Sequence, residues 1–162
     1  MEPNFTITAK EQLAGYGVFA IEPLEQGYGH TLGTALRRVL LTSLPGVAIT
    51  QAKIEKVRHP FSAIPGVKED VVDILLNLKQ VRISYTGEEP VKLTLDKVGP
   101  GILTAGDIKV PGNVKITNPE LTILTLADKK TKFSAEFQVE RGVGYSPAGE
   151  RKTNVIGLIP LD

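Results

Sequence analysis

The chain contains no cysteine, which excludes disulfides, thiolate metal sites and cysteine nucleophiles. Histidine is scarce: His30 and His59 are the only two, leaving few nitrogen ligands for a metal centre. No apolar run approaches the roughly 18 residues that a membrane span needs. The opening Met1-Glu2-Pro3-Asn4-Phe5 has neither the basic nor the apolar segment of a signal peptide. Net charge is almost absent, since 19 basic residues face 18 acidic ones. That balance argues against a protein whose main task is to coat nucleic acid or a membrane surface. Internal repeats and low-complexity segments are missing too.

What is present suits a folded protein. The 162 residues, 41% apolar and 23% charged, are enough for one medium domain or two small ones, able to bury roughly 68–70% of the unfolded surface. Alternation predicts strands at Phe5–Thr8 and Tyr16–Ile21. From Thr31 the period changes: Leu32, Ala35, Leu36, Val39 and Leu40 form one helical stripe, with Thr31 as the expected N-cap and Pro45-Gly46 as the stop. Val47–Val57 reads as a strand. A second helix is expected over Val67–Lys79, with an apolar face of Val67, Val71, Ile74, Leu75 and Leu78 and acids in its early turns. The remainder reads as β: a hairpin of Val81–Tyr85 and Val91–Leu95 around Gly87, then short strands at Ile102–Thr104, Val114–Ile116, Leu121–Leu126 and Lys132–Glu140. Asp128-Lys129-Lys130 reads as a hairpin turn, residues 141–147 as an irregular loop and Val155–Leu161 as a last apolar stretch. The pattern is α+β, without the regular alternation of a βαβ fold.

Few constellations carry chemistry. Gly27-x-Gly29-x-x-x-Gly33 opens a helix after a strand, as a phosphate loop does, so a small nucleotide-binding enzyme is one alternative. The spacing differs from G-x-G-x-x-G, however, and a tight turn with close packing explains the glycines equally. His30 precedes the expected cap without an acid or serine at catalytic spacing, and His59 reads as a loop residue. Glu69/Asp70 and Glu88/Glu89 are adjacent and divergent, unsuited to paired acid–base work. Arg37 and Arg38 point about 100° apart on the first helix. They form either a solvated basic face or an interface anchor, with Leu41 as the apolar part of the same patch. The stripe beside them suits a core or a subunit contact. Lys79 suits the negative end of the second helix. Residue chemistry alone thus points to a binding or structural module.

Three blocks carry a resemblance over nearly the whole chain. The first runs from Glu22-Pro23-Leu24-Glu25 through Gly27-Tyr28-Gly29-His30-Thr31-Leu32-Gly33 to Ala35-Leu36-Arg37-Arg38-Val39-Leu40-Leu41. The second is Gly66-Val67-Lys68-Glu69-Asp70-Val71 with Leu76-Asn77-Leu78-Lys79, and the third is Val139-Glu140-Arg141-Gly142-Val143-Gly144-Tyr145-Ser146-Pro147-Ala148. The sequence resembles the N-terminal region of the bacterial-type RNA polymerase alpha subunit, departing at Thr34, where that family often has asparagine. The resemblance implies a non-catalytic assembly subunit without cofactors, cytoplasmic in a bacterium or plastid, that dimerises and recruits the beta and beta-prime subunits. It implies a discontinuous dimerisation domain, here residues 1–46 and incomplete because family members continue past Asp162, with a strand-rich inserted domain over 47–162. Carried over by position, Tyr28, Leu32, Leu36 and Val39 match the dimer interface. Arg38 and Leu41 match the beta contact, and Lys79, Leu161 and Asp162 match beta-prime contacts. No membrane association is implied, nor direct DNA binding by this part of the family's chain.

Overall fold

A computed structural model describes residues 4–151 and 155–162. The chain divides into two compact units, Met1–Ser43 and Leu44–Asp162.

In the first unit, β1 (Thr6–Leu13) and β2 (Tyr16–Glu22) form an antiparallel hairpin, with Leu13 opposite Tyr16 and a bulge between Ala9 and Glu11. Helix α1 covers Tyr28–Thr42, so it starts three residues before the expected cap at Thr31. The reason is Gly27, which occupies the cap position in the left-handed conformation (φ 85°). Glycine reaches that region without a Cβ penalty, and the Tyr28 amide donates to the Glu25 carbonyl at 3.1 Å. The turn thereby closes through backbone, with no side-chain cap. At the other end the Ser43 amide donates to the Val39 carbonyl. The helix stops ahead of Pro45, which disfavours helical geometry at the residue before it.

The second unit is built on an antiparallel sheet in the order β10-β3-β9-β5. Its strands are β3 (Pro45–Ile54), β5 (Val91–Val98), β9 (Lys132–Val143) and β10 (Leu158–Pro160). Central strand β9 buries Phe133, Ala135, Phe137 and Val139 in strict alternation, as period two requires when one face meets a core. Phe137 lies opposite Ala52 on β3 and Leu93 on β5; Ala135 lies opposite Ile54 and Leu95. Helix α2 (Val71–Leu78) adds Val71, Ile74 and Leu78 to the same core. Two small pairs complete the unit: β4 (Ile83–Tyr85) with β7 (Val114–Ile116), and β6 (Gly101–Thr104) with β8 (Thr122–Leu126).

Three expectations are corrected here. The second helix begins at Val71 rather than Val67, because residues 67–69 are claimed by β8. Val67 bridges Leu126, the Lys68 amide donates to the Thr125 carbonyl, and the Glu69 carboxylate accepts from the Thr125 amide (2.7 Å) and hydroxyl (3.0 Å). The cap is Asp70, whose carboxylate accepts the Asp73 amide at 2.8 Å. Second, β4 and β5 form no hairpin. The Tyr85 hydroxyl donates to the Glu89 carbonyl and folds the intervening loop, while Asn118, just after β7, holds the start of β4 by accepting from the Arg82 amide at 2.8 Å. Third, Asp128–Lys130 is a turn without a hairpin, since β8 pairs with β6 whereas β9 pairs with β3 and β5.

The cap gives a direct prediction. Asp70→Ala is expected to destabilise the unit by about 1 kcal/mol, read as a lower urea midpoint with an unchanged m-value. A midpoint equal to the parent's would show that the Glu69–Thr125 contacts alone set the helix start.

Candidate subunit interface

The first candidate region is the surface of α1. None of its residues is buried. Tyr28 is 52% exposed, Leu36 41% and Val39 51%, and Leu32 is half-buried. At about 100° per residue, Tyr28, Leu32, Leu36 and Val39 span an arc of roughly 80°. The four expected dimer residues therefore share one face. Arg38 and Leu41 lie about 60° from each other, centred on the far side of the helix. Both are exposed, and among the described residues no carboxylate pairs with Arg37 or Arg38. The β1–β2 hairpin adds further exposed apolar groups, including Ile7, Leu13, Tyr16 and Phe19. Exposed apolar residues gathered on one helix face mark candidate sites of protein contact.

The glycine-rich entry has no comparable elaboration. Gly27 makes the tight turn, but a Cβ added at Gly27, Gly29 or Gly33 would meet nothing within 4 Å. The expected close packing is therefore absent, because α1 lies open on that side. His30 lies inside the first turn of α1 rather than before its cap. His59 stands in a loop, where the Ser62 hydroxyl donates to its carbonyl at 2.8 Å.

The second candidate region belongs to the other unit and is held together by contacts between distant parts of the chain. Lys79, just past the end of α2, places its Nζ 3.0 Å from Asp162 Oδ2. The other carboxylate oxygen, Oδ1, accepts the Ala148 amide at 2.8 Å. Leu161 is 3% exposed, and its amide donates to the Thr50 carbonyl at 2.8 Å. The Arg151 guanidinium donates to the Leu161 carbonyl and, at 3.4 Å, to the Ser146 carbonyl. Lys79, Leu161 and Asp162 thus meet in one corner, although Lys79 and Asp162 are 83 positions apart. Leu161 faces the core and positions its neighbours, while Lys79 and Asp162 offer the accessible charges. A shallow groove of about 490 Å³ adjoins them, lined also by Leu44, Glu140, Arg141 and Tyr145. Sequence reasoning missed Thr50 and Arg151, and no local pattern distinguishes either. Tyr145, which follows the left-handed Gly144 (φ 65°), is 74% exposed beside this groove.

The Ala148 amide, and after it Lys79, hold the Asp162 carboxyl below its ordinary value of 3.8. A lowered folded value means the contact contributes fully above 3.8 and is lost as pH falls through the shifted value. Carbon-detected NMR titration should place the Asp162 midpoint below 3.8. Lys79→Ala should raise it only part of the way back, because the larger cause remains. A full return to 3.8 would assign the shift to Lys79 alone.

Residues 49–162 match the family model described as the RNA polymerase Rpb3/RpoA insert domain, and the chain belongs to that family. The more particular likeness is to proteins named DNA-directed RNA polymerase subunit alpha. The chain is 54% identical to that of a Roseiflexus species over 156 residues, covering 96% of this chain and 47% of the relative. It is 51% identical to that of Herpetosiphon aurantiacus over 147 residues, covering 91% and 44%. With that of Symbiobacterium thermophilum the identity is 53% over 149 residues, covering 91% and 47%. The chain spans about half the length of the curated relatives it matches, and it corresponds to the N-terminal region of bacterial-type alpha subunits. No helix among the described residues is long and apolar enough to cross a membrane.

Proposed function

We propose that the chain is the non-catalytic assembly part of an RNA polymerase alpha subunit, acting in transcription by pairing with a second copy and then receiving the beta and beta-prime subunits. The observation that carries this reading is α1: fifteen helical residues, none buried, with Tyr28, Leu32, Leu36 and Val39 on one face and Arg38 with Leu41 on the other. An apolar stripe left in water gains nothing until a partner covers it, and two separate faces allow two partners. The second copy takes the Tyr28–Val39 face and beta takes the Arg38–Leu41 face. Beta-prime takes the corner of Lys79 and Asp162, whose geometry is held by Leu161 and Arg151. The residues 1–46 serve as the dimerisation part and 47–162 as the inserted part, in a cytoplasmic complex. No cofactor enters this reading, and the nucleotide-loop alternative has no observation that favours it.

The beta-prime assignment is tested by capturing purified beta-prime on the immobilised chain, with Lys79→Glu alongside. Reversing that charge puts two acids side by side against the partner. It is expected to weaken capture by about tenfold while leaving the thermal midpoint of the chain within a few degrees. Capture equal to the parent's would remove Lys79 from the interface.

A further inference from the structure

A second groove in the Leu44–Asp162 unit shares no residue with the Lys79–Asp162 corner or with α1. It has a volume of about 660 Å³, within the range of built binding clefts. Four cations line it: Lys56 from the turn after β3, Lys129 and Lys130 from the turn that leads into β9, and Lys132 from the first position of β9. All four are exposed, and among the described residues none is in an ion pair. Among them the apolar lining that is open to solvent comes from Ile64 and Pro65, with Val57 and Phe133 buried behind.

The walls of this groove are tied to each other. Gly66 (φ 79°) packs so closely on Thr131 that no Cβ could be added there, and its carbonyl accepts the Ala127 amide at 2.8 Å. The 63–66 wall is thereby joined to the lysine-bearing turn. Lys56 adopts the left-handed conformation (φ 66°), which is uncommon for a residue with a Cβ and recurs at functional positions. A groove whose apolar Ile64 and Pro65 lie among exposed lysines is complementary to carboxylates spaced around an apolar side chain.

We infer that this groove docks an acidic, extended protein segment that carries an apolar side chain among its carboxylates. A nucleic acid fits less well, because the one aromatic ring of the lining, Phe133, is 2% exposed and offers no face for base stacking.

The test uses the full isotope-labelled chain and a synthetic peptide of glutamates flanking one leucine. Two further probes are the same peptide with glutamine for glutamate, and oligothymidylate. The glutamate peptide should shift the amide resonances of Ile64, Gly66, Thr131 and Phe133, and bind more weakly as salt is raised. Lys129→Glu with Lys130→Glu should weaken it by about tenfold, with an unchanged far-ultraviolet circular dichroism spectrum because both residues sit in an exposed turn. Equal binding of the glutamine peptide, tighter binding of oligothymidylate, shifts confined to other surfaces, or indifference to the double substitution would each overturn the proposal.

Discussion

Phe137→Ala is expected to destabilise the Leu44–Asp162 unit by about 3–5 kcal/mol, the cost of emptying an aromatic site in a packed core. The position leaves little room for relief. Phe137 is 1% exposed on the central strand of the sheet, and its cross-strand neighbours Ala52 and Leu93 are both 0% exposed. Backbone ladders on both sides keep β3 and β5 from closing the void, and Ala52 is too small to fill it. Urea unfolding followed by circular dichroism should show the loss as a lower midpoint. Phe61, 85% exposed, is the internal comparison: Phe61→Ala should stay within about 0.5 kcal/mol of the parent. Similar losses at the two positions would mean that β9 is not the centre of the core.

Arg38→Ala is expected to reduce affinity for the beta subunit by about 2 kcal/mol, close to thirtyfold, with no loss of helicity. Arg38 is exposed and without an ion pair among the described residues. Its removal takes nothing from the fold, and alanine is the better helix former. Arginine at the centre of a contact supplies a planar, bidentate donor set that alanine cannot replace. The same substitution should leave self-association untouched, since Arg38 lies far around the helix from the Tyr28–Val39 face. Calorimetry with purified beta and sedimentation of the chain alone separate the two effects. Unchanged beta affinity would move the beta contact off this side of α1.

Much of this architecture was legible in local pattern, and the failures have a common cause. The α1 stripe was readable because five apolar residues keep a helical period, and the buried set of β9 was readable because Phe133 to Val139 alternate. The start of α2 was not readable: Val67 fits the helical period, yet the Glu69 carboxylate and the Thr125 amide and hydroxyl, 56 positions away, draw the segment beside β8. The expected hairpin around Gly87 failed in the same way, because β4 finds its partner in β7 and β5 finds its partner in β9. Turn residues announce that a chain reverses without saying which strand it rejoins.

The candidate site divides along the same line. Periodicity alone puts Leu32, Leu36 and Val39 on one side of α1 and Arg38 with Leu41 on the other, while Tyr28 joins the first side only because the helix starts after Gly27 rather than at Thr31. Nothing local brings Lys79 to Asp162; that contact needs α2, β3 and β10 packed in place, with Arg151 bonded to the Leu161 carbonyl. The family resemblance implies roles for Lys79, Leu161 and Asp162, and the fold places these three beside one another.

The most direct measurement is the sedimentation mass of the species formed when this chain is mixed with purified beta subunit. A complex whose mass equals two copies of the chain plus one beta is the expected result, since it requires both the self-association face and the beta face of α1. A folded chain that sediments as a monomer beside free beta would contradict the assembly function.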